Sequence, residues 1–250
     1  MISQGQILSL SKRFDIDQFT ILREYLQVLF LSKLYDLEKS ENIYFKGGTA
    51  LRLLFNSFRF SEDLDFTSSL DEENLKALLG KTIKRVCLET PGAKINSLQM
   101  KKASLTARLN YAGPGLKFPL TVHLEFSLRE KPNAREVSPL ATLYPISPYP
   151  MIVHLSLSEI LAEKVRALMM RGKGRDIFDL WYILSKEVKL DWRLINEKMK
   201  YYGMEIEKRD VVKKIEEIDP KEIEDDLRRF LPKKQRALIG NLKELVMEKI

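Results

Sequence analysis

The chain has 250 residues, a hydrophobic content of 44% and a formal net charge of +7. This hydrophobic content is enough for a folded core and excludes a disordered chain. A single cysteine, Cys87, excludes an intramolecular disulfide and favours a reducing compartment. One cysteine and two histidines disfavour a structural zinc site, so a bound metal would need oxygen ligands, as Mg²⁺ and Mn²⁺ do.

The basic charge, with an isoelectric point near 9.3, favours an anionic partner such as a nucleotide or a nucleic acid. A solvated basic surface with no partner would give the same charge, and both explanations stay open. The sequence contains no signal peptide and no long uncharged apolar run. We therefore expect a soluble, cytoplasmic protein without a membrane segment.

Apolar residues recur at helical spacing from Phe19 to Phe30 and predict a core helix over residues 16–37, capped by Asp15 or Asp17. Residues 42–46 predict a strand that ends at Gly47 and Gly48, and residues 49–55 look helical. Glycines before a helix expose backbone N–H groups, which suits phosphate, although an ordinary turn is their commoner role.

Two carboxylates follow the glycine pair at positions 63 and 65. Side chains two apart in a strand point to the same face, so Asp63 and Asp65 should project together while Leu64 and Phe66 face inward. Two like charges at this spacing repel each other unless a cation lies between them. The pair therefore predicts a shared divalent metal.

Residues 71–89 predict a helix, and residues 93–112 predict a β-hairpin with its turn near Lys101 and Lys102. Four basic residues of this region fit either a contact with nucleic acid or a charged edge strand. They are Lys101, Lys102, Arg108 and Lys117.

Residues 118–128 predict a further strand, with Val122, Leu124 and Phe126 on one side. Glu125 lies between apolar neighbours, where a buried charge would need compensation. It is a candidate third metal ligand beside Asp63 and Asp65. An exposed or salt-bridged glutamate is the alternative.

Proline-rich residues 131–150 predict an irregular connection between two domains, residues 1–150 and residues 151–250. The second domain reads as helical throughout, with helices over residues 156–171 and 175–184 and further segments to residue 248. Asp176 and Asp179 share a helix face, and Arg175 lies four residues before Asp179. This pattern fits a polar cluster that lines a cleft or an ordinary inter-helix salt-bridge network.

Several blocks of the sequence together resemble the AbiEii family of nucleotidyltransferase-like toxins. They occur in the expected order between about residues 40 and 185, and comprise residues 46–51, 59–66, 122–127 and 163–168, with Arg171 and residues 175–180. The resemblance implies an α+β fold: an N-terminal nucleotidyltransferase-like mixed sheet with helices, followed by a C-terminal helical bundle.

The resemblance also implies roles for individual residues. Asp63 and Asp65 would hold Mg²⁺ or Mn²⁺, with Glu125 as the third carboxylate by position. Lys164 would contact nucleotide phosphate, and Asp176 or Asp179 would complete the catalytic cluster. The predicted nucleotide-binding residues are Lys46, Gly47, Gly48, Thr49, Arg59, Ser61 and Arg175.

These roles predict a metal-dependent nucleotidyltransferase that moves a nucleoside monophosphate from an NTP to an acceptor, RNA such as tRNA, as the toxin of a toxin–antitoxin pair. A cognate antitoxin is then an expected partner. One alternative is a catalytically inactive module that binds nucleic acid or protein. Another is a haloacid-dehalogenase-like phosphatase, because residues 63–67 fit its Asp-x-Asp-x-Thr motif.

Overall fold

The chain folds into two compact units, Met1–Leu155 and Ser156–Ile250. The computed structural model describes residues 1–113, 116 and 118–250. Unit 1 contains a mixed sheet with helices, and unit 2 is helical, so the predicted α+β class is confirmed. The units divide after Leu155, whereas the sequence predicted a boundary at residue 150.

Unit 1 contains four α-helices and seven strands among its described residues. The helices are α1 (Gln4–Phe14), α2 (Gln18–Tyr35), α3 (Gly47–Leu54) and α4 (Glu72–Glu89). The strands are β1 (Ile43–Lys46), β2 (Asp63–Ser68), β3 (Ala93–Lys101), β4 (Ser104–Tyr111), β5 (Leu120–Ser127), β6 (Glu136–Pro139) and β7 (Met151–His154).

Unit 2, whose residues are all described, contains six α-helices, with a 3₁₀ segment over Lys233–Asn241. They are α5 (Leu157–Arg171), α6 (Gly174–Leu184), α7 (Trp192–Met199), α8 (Lys208–Glu217), α9 (Pro220–Leu227) and α10 (Leu242–Met247). Ser156 caps α5, because its side chain accepts the N–H of Glu159. Gly172 ends α5 in the left-handed conformation, with φ of +59°.

The strands form one sheet in the order β3-β4-β5-β2-β1-β7-β6. Strand β2 lies at its centre, parallel to β5 on one side and antiparallel to β1 on the other. The predicted hairpin is β3 and β4, which pair antiparallel as expected. The central place of β2 means that its side chains have ordered neighbours on both sides.

The sheet has one apolar and one polar face near β2. Leu64 and Phe66 of β2 are completely buried, as predicted, and the Phe66 ring stacks on Phe126 with centroids 4.5 Å apart. Helix α2 packs against β5. The alternating positions of the same strands, including Asp63 and Asp65, therefore project from the opposite face.

Helix α2 begins at its predicted cap, since the Asp17 carboxylate accepts the N–H of Thr20 at 2.9 Å. The prediction that Phe19 packs in the core is wrong, because its side chain is 37% exposed. Phe19 lies in the first turn of α2, at the margin of the buried surface. There its ring is covered by the Arg23 guanidinium, 5.0 Å away.

Three elements of unit 1 were not predicted. Helix α1 has a capping box between Ser3 and Gln6, a signal that the sequence does contain. The prediction of an irregular connection over residues 131–150 is wrong in part, because β6 lies within it. Strand β7 begins at Met151, directly after this connection, and pairs parallel with β1. Both strands have only four residues, which is too short for a clear alternating pattern.

Candidate active site

The glycine turn between β1 and α3 is shaped by close approach of other residues to its backbone. Gly47 has φ of +79°, and a Cβ placed on it would lie 2.2 Å from Asp65 Oδ2. A Cβ on Gly48 would lie 2.1 Å from an Arg59 guanidinium nitrogen and 3.1 Å from Ser61 Oγ. The two missing side chains thus make room for three polar groups at the start of α3.

Arg59 and Thr49 are both buried behind this turn. Arg59 is 2% exposed and donates a hydrogen bond from Nη1 to the Phe60 carbonyl at 2.9 Å. The Thr49 hydroxyl donates to the Asp63 carbonyl oxygen, which fixes the start of β2 against α3. These contacts position the turn and β2, and the predicted contacts of both residues with nucleotide stay predictions.

A row of charged side chains crosses the polar face of the sheet. Lys46 of β1 is in register with Asp65 of β2, and Asp65 is in register with Glu125 of β5. In-register residues on adjacent strands share a face, and adjacent strands are about 4.8 Å apart. The strands therefore place Glu125 beside Asp65, in the position that the sequence suggested for a third carboxylate.

The side chain of Asp63 lies on the same face and makes no hydrogen bond or ion pair with any residue that the structure describes. Glu125 is exposed and also lacks such a partner within the described residues. No group of three or more His, Cys, Asp or Glu side chains is arranged to hold a metal ion in the described part of the chain. Mg²⁺ commonly binds through one or two carboxylates plus substrate phosphates, so the Asp63 and Asp65 pair fits a site completed by a triphosphate.

A second polar network supports α3 from behind. The Glu24 carboxylate accepts hydrogen bonds from Arg52 Nε at 2.8 Å and from the Tyr144 hydroxyl at 2.9 Å. Burial, with the nearby Glu24 charge, raises the pKa of Tyr144 far above its ordinary value, so the hydroxyl stays a donor. Arg52 also stacks on the Phe60 ring, 3.9 Å from its centroid. Sequence reasoning missed this network because its members are distant in the chain.

In unit 2, Lys164 lies in a buried ion-pair cluster with two aspartates. Its Nζ is 2.7 Å from Asp179 Oδ2 and 3.7 Å from Asp176 Oδ1. Asp176 also accepts two hydrogen bonds from the Arg171 guanidinium, at 2.7 and 2.8 Å. Both carboxylates are 0% exposed. The cluster is the inter-helix network that the spacing allowed, and the predicted catalytic roles of its residues stay predictions.

Arg175 belongs to a different contact of unit 2. Its backbone N–H and its Nε approach the Asp226 carboxylate at 2.9 and 3.1 Å, and its guanidinium lies over the Phe230 ring. It therefore anchors the start of α6 to α9 rather than pairing with Asp179, four residues later. Its predicted contact with nucleotide stays a prediction.

The mixed sheet, the glycine turn and the Asp-x-Asp strand define a nucleotidyltransferase-like protein. Residues 29–243 match the family described as "Nucleotidyl transferase AbiEii toxin, Type IV TA system". The chain belongs to this family of nucleotidyltransferases, which confirms the resemblance that the motifs indicated. No curated protein matches the chain.

Solved structures share the fold. The nucleotidyltransferase toxin MenT4 of Mycobacterium tuberculosis is 20% identical with a TM-score of 0.62, and the match covers 100% of this chain and 88% of that one. JHP933 of Helicobacter pylori is 22% identical with a TM-score of 0.55, and the match covers 94% of each chain.

Family membership implies a cognate antitoxin, because a type IV system pairs each toxin with one. The phosphatase alternative does not fit this family. It also does not fit β2, because Asp63 begins this strand whereas the phosphatase motif ends one. Among the described residues, no helix is long and apolar enough to cross a membrane.

Proposed function

We propose that the protein transfers a nucleoside monophosphate from an NTP to an acceptor RNA, such as tRNA, with the help of Mg²⁺ or Mn²⁺. One observation carries the proposal. The Asp63 carboxylate, which has no hydrogen bond or ion pair among the described residues, lies beside Asp65 on the sheet face next to the Gly47–Gly48 turn. The family supplies the class of reaction, and the basic charge of +7 favours an anionic acceptor.

The residues of unit 1 would have two roles, binding of the triphosphate and transfer of the nucleoside monophosphate. The N-cap residue of α3, Lys46, makes no side-chain capping hydrogen bond. The N–H groups of the first turn, together with Lys46, would therefore bind the triphosphate. Asp63 and Asp65 would hold the divalent cation, which neutralises phosphate charge and favours ionisation of the attacking hydroxyl. Thr49 and Arg59 would act through position, because they fix β2 and the turn.

The reaction itself is an in-line displacement. A bond forms between the acceptor oxygen and the α-phosphorus, and the bond from the α-phosphorus to the bridging oxygen breaks. Pyrophosphate leaves, and the proton of the acceptor hydroxyl passes to a carboxylate on the polar face of the sheet. Glu125 is suited to receive it, since it is exposed and lies beside Asp65 in the sheet.

The test is incorporation of labelled nucleotide. The protein is incubated with each of the four α-labelled NTPs, Mg²⁺ or Mn²⁺, and total tRNA. Label should enter RNA with the unaltered protein and should fall at least 100-fold with Asp63→Asn. The matched control is Asp225→Asn, which neutralises an exposed carboxylate of α9 and should leave incorporation unchanged.

The other outcomes are equally informative. Label on the protein itself would replace RNA by a protein side chain as the acceptor. Absence of label with every NTP, together with absence of metal-dependent NTP binding, would overturn the proposal. The chain would then be an inactive binding module that keeps a nucleotidyltransferase fold.

A further inference from the structure

The polar face of the sheet extends well beyond the carboxylates of β2. In register with Asp63, strand β5 carries His123, strand β4 carries Arg108 and strand β3 carries Asn96. Two strand spacings separate Arg108 from Asp63, which is about 10 Å. The basic side chain of Arg108 therefore lies on the same face as the proposed site, in register with Asp63 and two strands away from it.

These strands enclose a groove, which we name the β3–β5 groove. It is a depression of about 330 Å³ whose polar lining includes Gln99, Lys101, Arg108, His123 and Glu125. The register of β3 slips between Asn96 and Gln99, where Ser97 has φ of +60°. An irregularity of this kind bends a strand locally, and such bends occur often beside active sites.

The basic residues of the groove are available to a ligand. Within the described part of the chain, the side chains of Lys101, Arg108 and His123 form no hydrogen bond and no ion pair, and all three residues are exposed. Protection of a sheet edge accounts for Lys101, because β3 is an edge strand. It does not account for Arg108 or His123, because β4 and β5 are internal strands.

We propose that the β3–β5 groove binds the single-stranded end of the acceptor RNA, an assignment that rests on the proposed function. The charges of the groove set the direction in which the RNA binds. Glu125 lies at the end nearest Asp65 and repels phosphate, so the uncharged terminal hydroxyl lies there. Arg108 and Lys101, on the far side, contact the phosphates of the preceding nucleotides, and His123 offers a ring for base stacking.

The test measures binding of a fluorescein-labelled, twelve-nucleotide single-stranded RNA with a free 3′-hydroxyl, by anisotropy in EDTA at several salt concentrations. The variant is Lys101→Gln with Arg108→Gln. The matched control is Lys81→Gln with Lys84→Gln, which removes two exposed charges from α4. Affinity of the groove variant should fall roughly tenfold, and the slope of log affinity against log salt should weaken by about 1.4, since each single-strand phosphate contact contributes about 0.7.

Two further measurements separate this inference from the proposed function. Metal-dependent NTP binding by the groove variant should equal that of the unaltered protein, and Asp63→Asn should keep its RNA affinity. Equal losses of RNA affinity in the groove variant and the α4 control would overturn the groove assignment and leave the transferase reaction standing. Absence of RNA binding by the unaltered protein, with label entering a protein acceptor, would overturn both the groove and the RNA acceptor.

Discussion

At Gly47 the backbone and the Asp65 carboxylate leave no room for a side chain. We predict that Gly47→Ala lowers nucleotide incorporation about 100-fold, because a displaced carboxylate misplaces the reacting groups. The left-handed φ of +79° adds a conformational cost of about 1–2 kcal/mol to the folded state. Incorporation assays and urea denaturation of the same preparations measure the two effects.

Gly80→Ala is the matched control for this substitution. Gly80 lies inside α4, and a Cβ there would meet nothing within 4 Å. Alanine is the better helix former, so this change should raise the free energy of unfolding by about 1 kcal/mol with incorporation unchanged. Equal activity in the two alanine variants would show that the close approach of Gly47 to Asp65 does not matter for the reaction.

Lys164 is the residue for which a structural and a catalytic role predict different results. Lys164→Met would leave Asp176 and Asp179 buried without their lysine partner, and we predict a loss of about 3–5 kcal/mol in the free energy of unfolding. The double variant Lys164→Met with Asp179→Asn neutralises the carboxylate that lies 2.7 Å from Lys164 Nζ and should regain part of that stability.

Activity of the same two variants decides the role of Lys164. Recovery of incorporation together with stability in the double variant would assign Lys164 to the cluster alone. Stability that recovers while incorporation stays lost would support a catalytic role in this cluster, in Lys164 or in Asp179. Thermal denaturation and incorporation are measured in parallel.

The residues of the site differ in how far the sequence could predict them. Asp63 and Asp65 were predictable because a strand has a period of two and their apolar neighbours alternate with them. The buried positions of Arg59 and Thr49 were not, since they depend on packing against Gly48 and on a hydrogen bond to the Asp63 carbonyl. Sequence motifs identify which residues gather at a site, but the tertiary contacts decide which of them still have a free functional group.

At the scale of elements, the start of α6 is packed directly against the backbone of α9. A Cβ on Gly174 would lie 2.7 Å from Ile223 Cα and 2.9 Å from its carbonyl oxygen. Because backbone cannot move aside as a flexible side chain does, we predict that Gly174→Ala lowers the stability of unit 2 by about 1–3 kcal/mol. Hydrogen exchange of peptides from α6 and α9 measures this loss locally.

Gly240→Ala serves as the control for that prediction, because a Cβ at Gly240 would meet nothing within 4 Å. Exchange in α6 and α9 should be the same as in the unaltered protein. Faster exchange in both variants alike would mean that the effect does not come from the contact with Ile223. Gly174 was predictable only as a helix boundary, since its contact lies 49 positions away in the chain, from residue 174 to residue 223.

Long helices and local hairpins were predictable, whereas elements defined by distant pairing were not. The apolar spacing of α2 and the alternation of β3 and β4 are local signals. Strand β7 is a strand because it pairs with β1, more than 100 residues earlier, and its own four residues carry little pattern. The edge of the sheet that contains β6 and β7 therefore emerged only from the structure.

For the whole molecule, the carboxylates on the polar face predict that the cation decides which protein is more stable, the unaltered protein or Asp63→Asn. The Asp63 side chain has no partner among the described residues, and Asp65 and Glu125 lie on the same face. Without metal, Asp63→Asn removes a repelling charge and should raise the melting temperature slightly. With Mn²⁺ and a non-hydrolysable NTP analogue at about 100 times their dissociation constants, the unaltered protein should gain about 2.7 kcal/mol and the variant much less.

The two proteins should thus exchange their order of stability when metal and nucleotide are added. Asp225→Asn, with an exposed carboxylate changed in the same way, should follow the unaltered protein in both conditions. Differential scanning fluorimetry in EDTA and in Mn²⁺ with the analogue provides the comparison. A variant that keeps the full gain would show that the cation binds away from Asp63. If Asp63→Asn instead lowers the melting temperature in EDTA, the Asp63 carboxylate has a structural role. Its loss can lower the stability of the metal-free protein only if the carboxylate stabilises that fold.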